Sequence, residues 1–307
     1  MPSAPQTPAG AGSARLLVLL LAFAWGLNWT AAGIALREVP PWSMRFAGSG
    51  IGAATLFLVA SLAGHSLHVP RGERLHVMIA GFFNVAAFQV LSSFAQLSGA
   101  TSRAVIIAYS MPIWATLLSY LLLHERLTGA RRLAFLLCVA GLSTLVWPLV
   151  SRGVPAPILL SLGCALSWAF ATVYVKWARL TVAPLANAAW QLLFGFLFIA
   201  AGTFVFEGFP RLFGLHAPTL AAVAYIGVFG VGLAHFLLWT IVGRMPTITA
   251  SIGSLLVPVV GVIASTFVLH EHPTANDLIG FVLIFLAAAC VLLEPAASRT
   301  MRGAPHK

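Results

Sequence analysis

Leu123-His124-Glu125-Arg126-Leu127-Thr128 returns 146 residues later as Leu269-His270-Glu271-His272-Pro273-Thr274. Each copy closes a long apolar run and ends on a Thr suited to cap the next helix. The echo spreads outward at the same offset: Pro112 meets Pro258, Ser119 meets Ser265, Phe135 meets Phe281, and Gln89 meets His235. Nearer the N-terminus the offset is 143, with Trp25 opposite Trp168 and Pro41 opposite Pro184. The sequence thus divides into two related halves, 1–152 and 153–307.

The runs between the echoes set the fold class. Ten apolar spans lie at 15–35, 43–63, 75–97, 103–123, 131–150, 157–177, 185–205, 218–240, 247–269 and 276–293. Each approaches the roughly 20 residues that carry a helix across a bilayer, and all exceed the roughly ten of a barrel strand. Composition agrees: 60% of the 307 residues are hydrophobic and 8% charged, against about 25% charged in a soluble domain. Seventeen Lys+Arg and seven Asp+Glu cannot coat a water-facing globule of this size. That excludes a soluble enzyme, a nucleic-acid-binding domain and a disordered chain. The expected fold is an all-α integral membrane protein of ten transmembrane helices, with the lipid bilayer as its surroundings.

Five spans per half is an odd number, so the second half must cross the membrane upside down relative to the first. Two inverted five-helix repeats around a central cavity are a device of secondary transporters, because they give two conformations open to opposite sides. The net charge of +10 reads as topology. Arg37, Arg45, Arg103, Arg152 and Arg211 fall on one side and the other twelve Lys/Arg on the side of the termini, which makes both termini cytoplasmic. No basic cluster suits a phosphate backbone, so no nucleic-acid partner is expected. Cys138, Cys164 and Cys290 lie within apolar runs without CxxC spacing and read as packing residues, with neither disulfide nor zinc site. Leu16–Leu21 followed by Ala22-Phe23-Ala24 has the look of a cleavable leader, but residues 1–14 carry no basic side chain and the apolar run continues to Ala35. It reads as the first helix.

Several stretches carry a family resemblance. Ala24-Trp25-Gly26-Leu27-Asn28-Trp29, Met44-Arg45-Phe46-Ala47, and Pro112 followed by His124-Glu125-Arg126-Leu127-Thr128, echoed by Pro258 and Glu271, resemble the EamA branch of the drug/metabolite transporter superfamily. Within it the chain looks most like the aromatic amino-acid exporters. The resemblance covers nearly the whole chain and implies ten helices, residence in a bacterial cytoplasmic (inner) membrane, and movement of small metabolites. The second half departs from the pattern, with Trp168-Ala169-Phe170-Ala171 in place of Trp-Gly-x-Asn and no Arg-Phe copy.

Candidate mechanistic residues follow from what hydrocarbon penalises. Pro112 and Pro258 sit mid-span, and each frees a carbonyl four residues back, at Ala108 and Ser254. They read as hinges, with Ser110 or Ser254 available to satisfy the kink and direct carbonyl–substrate contact as the alternative. Asn28, Asn84, Gln89, Gln191 and His235 are polar groups at mid-span and should face a cavity or another helix. Helical spacing sets Trp25 beside Asn28, Phe88 beside Asn84, Trp239 beside His235 and Thr172 beside Trp168. With Tyr109 these make a candidate amphipathic substrate cavity: Trp25, Asn28, Asn84, Phe88, Gln89, Tyr109, Trp168, Thr172, His235, Trp239 and Ser254. Interhelical hydrogen bonding and Trp packing is the plainer reading of each one alone. Arg45 starts the second span, where it either snorkels or draws a carboxylate to the cavity mouth. The Glu/Thr turns read as structural, with Thr274 and Asp277 at capping-box spacing. Gly48–Gly52 has GxxxG spacing, suited to contact within the monomer or across a homodimer.

All seven acids lie at or near span ends, so the usual intramembrane carrier of a coupling proton or Na⁺ is missing. Facilitated or weakly coupled export of small neutral or zwitterionic metabolites is the expected function, with aromatic and other apolar amino acids suggested by the resemblance. The alternatives are another small metabolite or drug, or an integral membrane enzyme. Against the enzyme, no HExxH, phosphate loop or Ser-His-Asp set assembles, and no metal or cofactor is expected. A channel lacks charged pore rings.

Overall fold

The computed structural model describes the backbone of residues 8–125, 127–148, 156–244 and 247–293, with side chains over the same stretches except 8–15, 239 and 242–253. The expected division between residues 152 and 153 lies outside the described residues. Those residues form thirteen α-helices: α1 (Pro8–Ala35), α2 (Pro41–Leu62), α3 (Arg74–Gly81), α4 (Phe88–Ser98), α5 (Thr101–Ala108), α6 (Met111–Leu123), α7 (Gly129–Val146), α8 (Ala156–Trp177), α9 (Pro184–Phe206), α10 (Ala217–Tyr225), α11 (Ala234–Arg244), α12 (Thr247–Val268) and α13 (Ala275–Leu292). Among them, nine stretches are long and apolar enough to cross a bilayer, and Ser254–Val268 adds a shorter apolar one within α12. This is an all-α integral membrane protein. The third and eighth spans run on through π-helical turns, Phe82–Ala87 between α3 and α4 and Ile226–Leu233 between α10 and α11. The first, shifted by 146 residues, falls inside the second.

Local sequence sets the helix ends. Pro41 and Pro184 open α2 and α9, where the missing N–H is no loss. Thr128 caps α7 by accepting from the Arg131 amide at 3.2 Å. Thr274 and Asp277 form the expected capping box on α13. His124 and His270, at φ 54° and 56°, turn the chain through the left-handed region after spans four and nine.

Packing obeys one exchange rule. Span one (α1) packs on span nine (α12), and span six (α8) packs on span four (α5, α6). The second span (α2) lies along the eighth and the seventh (α9) along the third, while α2–α9 and α7–α13 pair directly. Swapping each span for the one five places on leaves this pattern unchanged. Glycines permit the close crossings. A Cβ on Gly26 would fall 2.6 Å from Val260 Cβ. Gly48 and Gly52 meet Ile226 and Val231 of the eighth span, so the GxxxG spacing serves contact within the chain.

Neighbouring spans are antiparallel, which gives the bundle a Glu271 end and a Glu125 end. Carboxylates at both ends tie the halves together, at the Glu271 end by accepting from backbone amides at helix starts, where the helix dipole favours negative charge. Glu207 accepts from Trp42 and Ser43 at 3.0 and 2.8 Å. Glu271 accepts from Thr101 and Ser102 at 2.6 and 2.8 Å. At the opposite end Glu73 accepts from Thr181 and Val182, both at 3.0 Å, and Glu125 pairs with Lys176 and Arg131.

Candidate functional site

A cavity runs through the middle of this bundle in two parts that share Trp25, Tyr109, Met111 and Trp168. The larger part, about 270 Å³, is apolar, with Ile106, Pro112, Leu238, Pro258, Phe281, Phe285 and Leu292 among its walls and Ser254 as a polar exception. Leu292 is the last residue of α13, and Leu238 lies in the second turn of α11, past the π-helical turn of span eight, so this part extends toward the Glu125 end. The smaller part, about 110 Å³, is lined by Asn28, Trp29, Arg45, Asn84, Phe88, Gln89, Ser92, Gln96 and His235. Arg45 and Gln96 lie at the Glu271 ends of α2 and α4. One continuous wall thus passes from polar to apolar.

The polar part is an ordered hydrogen-bond network. Ser49 Oγ donates to Gln89 Oε1 at 2.8 Å. Ser92 and Ser93 donate back to the Gln89 carbonyl at 2.8 and 2.9 Å, and their oxygens accept from Arg45 Nη2 at 3.2 Å and Nε at 2.6 Å. Asn84 Nδ2 donates to Gln191 Oε1 at 2.9 Å, so Gln191 orients a wall residue rather than forming the wall. Ser167 Oγ donates at 2.6 Å to the carbonyl of Phe83, inside the π-helical turn, where a partner from another helix compensates the irregular backbone. His235 Nδ1 lies 2.6 Å from the Val231 carbonyl. A carbonyl only accepts, so Nδ1 carries the proton and Nε2 is the acceptor of the neutral ring. Trp25 stands edge-on to His235 at 5.9 Å. Two buried acceptors, Asn28 Oδ1 and Gln96 Oε1, have no partner among the described residues. Asn28 Oδ1 rests against Gly230, where a Cβ would come within 2.1 Å.

Of the residues singled out in the sequence, Trp25, Asn28, Asn84, Phe88, Gln89, Tyr109, Trp168, His235, Ser254, Pro112 and Pro258 all line this cavity. Trp239 lies outside the described side chains. Two expectations are corrected. Thr172 is exposed and donates back to the Trp168 carbonyl at 3.0 Å, so it faces away from the cavity. Arg45 is not at a mouth: it is 3% exposed and lies within the polar part. Trp29, Ser92 and Gln96 were not foreseen, although Gln89, Ser92 and Gln96 stand at i, i+3 and i+7, one helix face.

The proline-bearing spans differ from one another. Span four is broken at Tyr109–Ser110, and Pro112 sits in the first turn of α6, where no donor is needed. Ser110 Oγ donates to the Ile107 carbonyl at 2.6 Å and helps close the break. Span nine continues as one helix through Pro258.

Residues 12–147 and again 155–293 fit the EamA-like transporter family. The chain belongs to that family. Its relatives include the uncharacterized transporter YvbV of Bacillus subtilis, 27% identical over 287 residues that span 92% of this chain and 93% of the relative. A probable amino-acid metabolite efflux pump of Escherichia coli is 24% identical and covers 88% of this chain and 91% of its own. A solved protein structure at 23% identity shares the fold, with a TM-score of 0.63 over 94% of this chain and 99% of that one.

Proposed function

We propose that this chain exports small neutral or zwitterionic metabolites by alternating access, and that amino acids with aromatic or other large apolar side chains are among them. The observation that carries this reading is the graded cavity: donors and acceptors at the Glu271 end, rings and aliphatic side chains toward the Glu125 end. An amphipathic molecule with a compact polar head and an apolar body fits such a wall. The amino-acid metabolite efflux pump among the relatives points to the same class.

Alternation would use the difference between spans four and nine. Glu271 joins the loop after span nine to the start of span four, and the adjacent Arg103–Asp277 pair joins α5 to α13. Together these brace the Glu271 end. At the 146-residue offset Glu125 corresponds to Glu271, and Thr247 and Ile248 at the start of α12 correspond to Thr101 and Ser102. In the opposite state Glu125 would leave Lys176 for the start of α12, span nine would break near Pro258 and span four would straighten through Pro112. Each carboxylate described is engaged at a span end, so movement down the substrate gradient without a coupling proton is the favoured mode.

The test is flux in proteoliposomes of purified protein, with and without an imposed pH gradient. Phenylalanine, tryptophan or tyrosine should move without the gradient, and faster than glycine or alanine. A strict need for the gradient would overturn the uncoupled mode. Absence of flux for every amino acid would overturn the substrate class.

A further inference from the structure

We infer that Arg45 anchors a carboxylate of the transported molecule. This rests on the transporter reading above and assigns the chemistry of the polar end of that cavity. A guanidinium is charged at any physiological pH, and a buried charge without a counter-charge is costly. Arg45 lines the cavity and is 3% exposed. Its partners are two hydroxyls, Ser93 at 2.6 Å and Ser92 at 3.2 Å. Both hydroxyl protons are directed to the Gln89 carbonyl, so both oxygens present lone pairs to the guanidinium. Two of its five N–H donors, one on Nε and one on Nη2, are thereby used, and three remain to be offered to a ligand. The described carboxylates are all engaged at span ends. The cation therefore has no counter-ion within the described protein.

A second orphan adjoins it. Gln96 is 7% exposed and donates Nε2 to the Ser92 carbonyl at 3.3 Å, which leaves Oε1 buried without a partner. Both side chains meet at Ser92. An uncompensated buried cation beside an unsatisfied buried acceptor is the complement of an α-amino acid. The carboxylate would take the remaining donors in a charge-assisted hydrogen bond, and the ammonium on the neighbouring carbon would donate to Gln96 Oε1. The side chain would then extend past Trp25 and Trp168 into the apolar part. The cation makes the carboxylate obligatory and leaves the ammonium secondary, since a neutral amide is a weaker partner than a charge.

The experiment measures binding to the purified full chain in detergent, without relying on transport. The probes are phenylalanine, 3-phenylpropionate (no ammonium), phenylalaninamide and phenethylamine (no carboxylate). On the wild type we expect phenylalanine to bind best and 3-phenylpropionate to lose less than about tenfold. The amide and amine should lose about tenfold to hundredfold, the range for hydrogen bonds to a charged group. Arg45→Met should abolish the discrimination against the amide, and Arg45→Lys should keep part of it. Phenylalaninamide or phenethylamine binding within threefold of phenylalanine would overturn the inference, as would no binding of either carboxylate. The wild-type series decides the matter even where Arg45→Met fails to fold. Carboxylate-selective binding without flux would overturn the transport reading and leave this inference standing.

Discussion

Arg103 and Asp277 form a two-pronged ion pair, Nε to Oδ1 at 2.7 Å and Nη2 to Oδ2 at 3.0 Å, that joins the first turn of α5 to the first turn of α13. Asp277 is 5% exposed and also closes the capping box with Thr274. One carboxylate thus holds a helix start and a contact between the halves. Asp277→Asn keeps the size and loses the charge, so we expect it to cost about 1.5–3 kcal/mol, the range for a charged hydrogen bond. Arg103→Lys should cost part of that, because an ammonium cannot fork. Denaturant or thermal unfolding in detergent checks both.

Gly26 sits where α1 crosses α12, and an added Cβ would fall 2.6 Å from both Val260 Cβ and Cγ1 and 3.0 Å from the Val257 carbonyl. Gly26→Ala should destabilise by about 1–3 kcal/mol, as overpacking does. Adding Val260→Gly removes two of the three close atoms and should recover part of the loss. Stability of the single and double variants reads this directly.

Glu125 gives a pH dependence of known sign. Burial pushes its carboxyl up, but the Lys176 ammonium and then Arg131 outweigh that and hold it below the usual carboxylate range. A depressed folded-state value contributes stability above the unfolded value, near 4.3, and that stability is lost as pH falls through the folded value. Glu125→Gln should therefore be less stable than wild type at pH 7, and the gap should narrow as pH falls below the unfolded value. Lys176 is 61% exposed, so the difference at pH 7 should stay under about 1 kcal/mol. Melting curves of the two proteins across pH test it.

Thr172 and Trp168 separate cavity from outer surface on one helix. Thr172→Val should leave stability within about 0.5 kcal/mol and flux unchanged. Trp168→Ala opens the junction of the two cavity parts and should alter the KM ranking of apolar substrates.

The sequence carried the repeat because the turns that end spans four and nine need specific residues: a left-handed position, a carboxylate and a capping Thr. Span number followed from apolar run length. The π-helical turns at Phe82–Ala87 and Ile226–Leu233 were not legible, since a shift in hydrogen-bond register leaves no residue signature. Arg45 was misplaced because a charge near a span end ordinarily reaches the interface. Here α2 begins at Pro41, and Ser92 and Ser93 hold the guanidinium inward. Thr172 misled because four residues advance a helix by more than one full turn. The half-buried Trp168 already stands at the edge of its face, and Thr172 falls outside it.

Alternating access is tested most directly by counterflow. Proteoliposomes loaded with excess unlabelled phenylalanine are diluted into a trace of labelled phenylalanine, with no pH gradient. A carrier whose cavity faces one side at a time exchanges label for internal substrate, so labelled phenylalanine should rise transiently well above its equilibrium level and then decay. Uptake that climbs to equilibrium without overshoot, at a rate indifferent to the internal load, would mean an open pathway and contradict alternation between the Glu271 and Glu125 ends.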